Sequence, residues 1–312
     1  KGNLGRDGAG VCPVRGHSNV QGNRTVGIWE SPSADFLQKL GDAFSFTPPS
    51  KHGYSAVETL DALNAGDIKL FFAMGGNFIS ASPDTDYTIK GMARCNLSVQ
   101  VSTKLNRSHL YTGKEALILP CLGRTDRDLQ NGHSQWVSVE NSMSIVHASQ
   151  GQSTPPSDSL MSEPAIICNL AEQVLGECAG ASQLNHRWRD LAEDYSKIRD
   201  LIAQSINGFE DYNQKIEENR FFVLPNSARN REFKTESGRA EFTVHPLTEI
   251  PLKPDQLLLM TIRSHDQYNT TIYTNDDRYR GVFGDRRVLF INPGDLERLE
   301  IARNRKLTIT SH

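Results

Sequence analysis

Apolar residues along this chain fall into short blocks whose spacing separates helices from strands. Between Ser55 and Ala65, Val57, Leu60 and Leu63 recur every three residues, and Gly66 follows. That spacing predicts one helical face, with glycine as the stop. The run Ile68–Met74 is almost wholly apolar and predicts a buried strand. Asp84–Arg94 predicts a helix, Leu97–Ser102 alternates as a strand, and Ala116–Pro120 is a short apolar strand. Upstream, Pro32–Gly41 predicts a short helix capped by Ser31, with proline in its first turn. Strands alternating with helices predict an α/β fold, a parallel sheet with helices on both faces.

The second half is patterned differently. Gln150–Ser159 is polar, contains Pro155 and Pro156, and predicts a linker. One helix is expected from Ser162 to about Leu175, ahead of Gly176. Another is expected from His186 to Ile206, where Trp188, Leu191, Tyr195, Ile198 and Ile202 share one core-facing stripe. Phe221–Leu224 and Ala240–Val244 predict strands. The two prolines of Ile250–Pro254 predict a boundary between a domain over residues 1–250 and a unit over 251–312. In that unit Leu257–Ile262, Arg287–Ile291 and Lys306–His312 predict strands. Asn292, Pro293 and Asp295 predict a helix start, as cap, first residue and dipole partner. No internal repeat or low-complexity tract interrupts the pattern.

Composition narrows the class. The 312 residues are 37% hydrophobic and 23% charged, as in an ordinary globular protein with one or two cores. A net charge of -3 argues against a nucleic-acid partner held through phosphates. No apolar run is long enough for a membrane span, and no signal-peptide pattern opens the chain, so a cytoplasmic location and no membrane partner are expected. Cys12, Cys95, Cys121, Cys168 and Cys178 are scattered, without a Cys-x-x-Cys pair. That spacing argues against a disulfide framework, a zinc site or an iron–sulfur cluster within this stretch. His133 and His147 lack metal-ligand spacing and are expected to be structural; no metal ligand is predicted.

Several polar clusters could carry chemistry. Residues 8–22 hold four glycines with Arg15, His17, Asn19 and Gln21. Glycine lets backbone approach a ligand, Arg offers a fixed fork of donors to an oxyanion, and His exchanges a proton near neutral pH. A glycine-rich surface loop without a ligand is the alternative reading. Gly75, Gly76 and Asn77 follow an expected strand, where ligands of open parallel sheets bind and glycine admits a diphosphate. Thr103, Lys104 and Asn106 follow the next strand and suit a sugar and diphosphate. After the third, Arg124 could meet a phosphate and Asp126 the donors of a guanine edge. Thr261–Thr270 is dense in hydrogen-bonding side chains, namely Arg263, His265, Gln267, Asn269 and Thr270. The nearby Asp276–Arg280 run is expected to be a solvated, self-paired charge cluster. No Gly-x-Gly-x-x-Gly occurs, which disfavours a nicotinamide Rossmann site.

The segment Gly-Val-Cys-Pro-Val-Arg-Gly-His-Ser-Asn-Val-Gln-Gly at 10–22 resembles the Asn-Pro-Leu-Arg-Gly-Gln-Asn-Asn-Val-Gln-Gly segment of formate dehydrogenase alpha subunits. Those belong to the molybdopterin oxidoreductases of the dimethyl sulfoxide reductase superfamily. Phe72–Asn77, Thr103–His109, Ala116–Pro120, Thr235–Phe242 and Phe290–Leu299 resemble further family motifs in the same order, so the resemblance spans nearly the whole chain. It implies a Rossmann-like cofactor-binding region followed by the start of a double-psi β-barrel. It also implies molybdopterin guanine dinucleotide, with molybdenum, as cofactor. Gly16, Asn19, Gln21, the strand-end residues and the 261–270 loop would then contact the cofactor. Arg15 would hold the substrate and His17 would assist proton movement. Characterised formate dehydrogenases have Gln where this chain has His17, so the small substrate, formate or another, is left open, as is the electron acceptor. Family members are longer on both sides. The chain is therefore expected to be a fragment, inactive alone, with the molybdenum ligand and any 4Fe-4S iron–sulfur cluster in a missing N-terminal part. A non-catalytic nucleotide-binding scaffold is the rival reading.

Overall fold

The computed structural model describes residues 2–14, 17–176, 188–268 and 272–310. The chain divides into two compact units, Lys1–Leu247 and Thr248–His312. It is a mixed α/β structure, with a three-stranded parallel sheet in the first unit.

The first unit begins with helices α1 (Val20–Thr25), α2 (Ala34–Phe44) and α3 (Ala56–Ala65). Helix α3 is locally encoded. Ser55 and Glu58 form a capping box, and Gly66 closes the helix at φ 82°. Strand β1 (Leu70–Met74), helices α4 (Phe78–Ala81) and α5 (Thr85–Met92), and strands β2 (Leu97–Ser102) and β3 (Glu115–Pro120) follow. The sheet order is β1-β2-β3, with Met74 opposite Val101 and Ser102 opposite Pro120. All three strands therefore end on one edge. Leu63, Ile79, Met92 and Cys95 form the core on the helical side. Gly91 of α5 lets the two helices touch, since a Cβ there would lie 2.8 Å from the Leu63 Cβ.

Strands β4 (Leu129–Gln130) and β5 (His133–Ser134) make a short hairpin. Strands β6 (Val137–Glu140) and β7 (Ile145–Ser149) form a second hairpin, which β8 (Phe221–Val223) extends after helices α6 (Glu163–Gly176), α7 (Trp188–Glu193), α8 (Tyr195–Ser205) and α9 (Tyr212–Asn219). A core of Val146, Phe209, Tyr212, Ile216, Phe222 and Leu224 joins this sheet to α9. In the second unit, β9 (Gln267–Tyr268) pairs with β10 (Ile272–Tyr273), and α10 (Pro293–Arg298) begins with Asn292 accepting from Gly294 N at 2.8 Å.

Several expectations are corrected. Helix α2 is capped by Ser33, whose hydroxyl accepts from Phe36 N at 3.2 Å, not by Ser31. Strand β1 is only half-buried, and β3 is an exposed edge strand despite its apolar sequence. Among the described residues of 186–206, the expected single helix is two. Asp194 is extended and accepts from Ser196 N, while Gln135 bonds Tyr195 N and Glu193 O across the break. The 150–159 segment is no free linker. Gln152 N and Ser153 N both donate to Thr125 O at 2.9 Å, and Arg127 N donates to Ser153 O at 2.8 Å. Residues 240–244, 257–262, 287–291 and 306–310 are not strands. An apolar run becomes a strand only when a neighbouring backbone completes its ladder, and these runs pair with none among the described residues.

Candidate functional site

The common edge of the parallel sheet gathers three loops. Gly75 and Gly76 follow β1 at φ 70° and 81°, and a Cβ on either would meet nothing within 4 Å. Only glycine enters this left-handed turn without strain. Gly75 N donates to Val101 O at 2.7 Å, which seats the turn against β2. Asn106, after β2, donates from Nδ2 to Gly76 O at 2.8 Å. Asn77 is buried, and its Oδ1 accepts from the Ser108 hydroxyl at 2.7 Å; Ser108 in turn accepts from Ile79 N. Asn77 and Asn106 therefore hold the glycine turn in shape. Thr103 and Lys104 stand exposed beside it.

Thr103 also lines a cavity of about 380 Å³ with Arg124, Asp126, Ser18 and Asn19. Asp126 turns into its own loop, accepting from Gly123 N at 2.7 Å. Its expected contact, a guanine edge, must share that carboxylate. Gly151 packs so closely on this loop that a Cβ would lie 1.9 Å from Asp126 O. A polar chain of Tyr195, Asp128 and Ser162 also lines the cavity. Tyr195 OH donates to Asp128 Oδ2 at 2.6 Å and bonds the Ser162 hydroxyl at 2.5 Å. Burial, aided by the Asp128 hydrogen bond, pushes the Tyr195 phenol up, so it stays a proton donor.

A second cavity, of about 500 Å³, lies between the glycine-rich loop and the β6–β7 hairpin. His17, Asn19, Gln21, Arg124, Glu140 and His147 are among its lining residues. Asn19 (φ 62°) precedes α1, and its Oδ1 accepts from Glu140 N at 3.0 Å. Gln21 Nε2 donates to Glu140 Oε1 at 2.8 Å and to Ser144 Oγ at 3.1 Å. Arg124 donates to Ser18 Oγ at 3.0 Å and lines both cavities, as does Asn19. His17, Asn19, Gln21, Thr103, Arg124 and Asp126 thus meet around two adjoining cavities. Gly75, Gly76 and Asn77 form a turn bonded to the end of β2 and to Asn106 and Ser108 after it. Arg15 and Gly16 lie outside the described residues.

Glu140 is the residue that sequence reasoning missed. Its signal was the alternation Val137-Ser138-Val139-Glu140, which ends a strand on a buried carboxylate. Two buried acceptor atoms at this corner, Gln21 Oε1 and Glu140 Oε2, have no hydrogen-bond partner among the described residues. Orphaned acceptors together with an open glycine turn fit a ligand that brings N–H donors at one end and phosphate at another.

In the second unit Arg263 is exposed and belongs to no element, and Gln267 sits on β9; Asn269 and Thr270 lie outside the described residues. His265 is committed to its neighbours. Its backbone N–H donates to Asp277 Oδ2 at 3.1 Å, its Nδ1 lies 3.2 Å from Asp277 Oδ1, and its ring packs on Tyr279. Arg280 pairs with Asp277 at 3.0 Å. The Asp276–Arg280 run is self-paired as expected, but it is not simply solvated, because Asp277 is 2% exposed. Burial raises the Asp277 carboxyl, and the hydrogen bonds from His265 and Arg280 outweigh it, holding it at about 2.

Cys95, Cys121 and Cys168 are free and buried, their thiols pushed up by burial, while Cys12 is exposed; Cys178 lies outside the described residues. Among the described residues no three His, Cys, Asp or Glu side chains come together as a metal site. Among the described residues no helix is long and apolar enough to cross a membrane.

Residues 257–312 match the model of the molybdopterin dinucleotide binding domain. Over all 312 residues the chain is 52% identical to an uncharacterized oxidoreductase of Mycobacterium tuberculosis, covering 39% of that protein. It is 47% identical over 295 residues to Protein YdeP of Escherichia coli, which takes in 94% of this chain and 38% of that protein. A more distant relative is the F420-dependent formate dehydrogenase subunit alpha of Methanocaldococcus jannaschii, 24% identical over 319 residues, 96% of this chain and 44% of that protein. The chain therefore spans less than half the length of these relatives. The match of residues 257–312 to the molybdopterin dinucleotide binding domain, and the similarity of the whole chain to part of longer oxidoreductases, are consistent with a piece of a molybdopterin oxidoreductase that uses a molybdopterin cofactor.

Proposed function

We propose that this chain is the part of a molybdopterin guanine dinucleotide-dependent oxidoreductase that holds the dinucleotide and faces a small substrate, in a cytoplasmic enzyme. Residues 1–250 are read as its α/β region and residues 251–312 as the start of a double-psi β-barrel. The observation that carries the reading is the pair of adjoining cavities sharing Asn19 and Arg124, which joins the glycine-rich loop to the ends of the parallel strands.

The bound cofactor supplies two-electron redox chemistry at molybdenum. The chain's own residues do the rest. The Gly75–Gly76 turn leaves open space for a diphosphate, since a Cβ on either glycine would meet no protein atom within 4 Å. Arg124 lines both cavities and offers a cationic fork to an anionic oxygen. Thr103 and Lys104 offer a hydroxyl and a cation to the same ligand. Arg263, His265, Gln267, Asn269 and Thr270 are read as the second unit's cofactor contacts. Arg15 orients an anionic substrate, and His17, on the cavity wall, takes or returns a proton.

Formate and small oxyanions are the substrates to screen, since the relative named for formate dehydrogenase supports that class only distantly. The test is turnover by the full-length, cofactor-loaded protein with an artificial electron acceptor or donor dye. Reduction or oxidation of the dye that depends on one such substrate is expected. A fully loaded protein that turns over none of them would make the chain a cofactor-binding scaffold.

A further inference from the structure

The corner between Gln21 and Glu140 leaves two buried acceptor oxygens over once its donors are spent. Glu140 is 6% exposed. Gln21 spends both amide protons, one on Glu140 Oε1 at 2.8 Å and one on Ser144 Oγ at 3.1 Å, and this fixes which way its amide points. What remains are Gln21 Oε1 and Glu140 Oε2, each beside the same 2.8 Å hydrogen bond, each buried and each without a donor among the described residues. Arg124, the cation on the same cavity wall, is already bonded to Ser18. A buried carboxylate oxygen left bare is expensive, and natural sites retain one where a ligand supplies the missing donor.

We infer that Glu140 and Gln21 form a subsite that reads the donor edge of a 2-amino-pyrimidin-4-one ring. That edge presents a ring N–H beside an amino group, two adjacent donors that match two acceptor oxygens. Both ends of the dinucleotide carry such a ring, the pterin and the guanine. The inference rests on the dinucleotide-binding reading above. Glu140 is tied to Asn19 and Gln21 and so also sets the loop that bears His17. The subsite therefore couples recognition of the ring to the shape of the substrate cavity.

The test uses cofactor-free full-length protein, titrated with guanosine monophosphate and with pterin-6-carboxylate. The variants are Glu140→Gln, which keeps the shape but turns one acceptor into a donor, and Gln21→Met, which removes the amide oxygen. Each is expected to lose at least about tenfold affinity for one of the two ligands and to keep the other. The ligand that is lost identifies the end that binds. Unchanged affinities in both variants overturn the subsite and leave the broader reading standing. Equal loss of both ligands also overturns it, since that marks Glu140 as a loop anchor only. Failure of wild type to bind either ligand overturns the subsite, and wild type purified without pterin overturns the dinucleotide reading itself.

Discussion

Gly76→Ala isolates the cofactor cradle from the fold. Gly76 and Gly66 have nearly the same backbone, φ 81° and 82°, and a Cβ on either meets nothing within 4 Å. Gly66 ends helix α3, whereas Gly76 sits on the sheet edge bonded by Asn106. An L-residue in the left-handed region costs about 1–2 kcal/mol, and with no clash to add, that is the whole expected penalty at both positions. For a unit of this size it lowers Tm by roughly 2–8 °C. Gly66→Ala is thus a matched control for strain. The assay is differential scanning calorimetry of the cofactor-free full-length protein, followed by pterin content of the protein expressed with its cofactor. The two variants should lose similar stability, but only Gly76→Ala should lose bound pterin, because its methyl group occupies the space a diphosphate needs. Equal pterin content in both variants would refute the placement of the dinucleotide on this turn.

Gly151→Ala should be far more damaging, since its methyl would lie 1.9 Å from Asp126 O and force apart a contact with three backbone hydrogen bonds. A loss of about 2–4 kcal/mol is expected in chemical denaturation, and a loss under 1 kcal/mol would show that the 150–153 segment does not pin the loop. The Asp277 carboxyl, held at about 2, contributes stability that is complete above an ordinary aspartate pKa of about 4 and fades as pH falls toward 2. A carboxyl-carbon NMR titration should find its midpoint near 2; a midpoint at 4 would dissolve the His265–Asp277–Arg280 cluster as described. Arg15→Lys keeps charge but loses the planar fork, so kcat/KM of the loaded enzyme should fall at least about tenfold, or ~1.4 kcal/mol of transition-state stabilisation. Unchanged kinetics would leave Arg15 a loop anchor.

What was legible in the sequence was what is local. Ser55, Glu58 and Gly66 encode α3 within a dozen residues, and Asn292 with Pro293 encodes the start of α10. The strand-end position of Gly75, Gly76, Thr103 and Arg124 followed from alternating strands and helices. What was illegible depends on distant partners. The Gln21–Glu140 bond joins residues 119 positions apart, and nothing in either segment announces the other. The β6–β7 hairpin turns through Asn141–Ser144 without glycine or proline, so its punctuation is weak. The break at Asp194 is imposed by Gln135, 60 residues upstream of the Tyr195 amide it accepts from, and no helical periodicity reveals it. Leu257–Ile262 and Arg287–Ile291 show the opposite failure. Their composition suits a strand, but composition cannot supply the neighbour that a strand requires.

The central claim is that these loops hold a molybdopterin dinucleotide, and purified full-length protein tests it most directly. Molybdenum by mass spectrometry and released pterin by fluorescence should both be present in near-stoichiometric amounts, and both should fall together when Arg124 is changed to Ala. Folded wild-type protein that carries neither molybdenum nor pterin after expression in a cofactor-producing host would contradict the account.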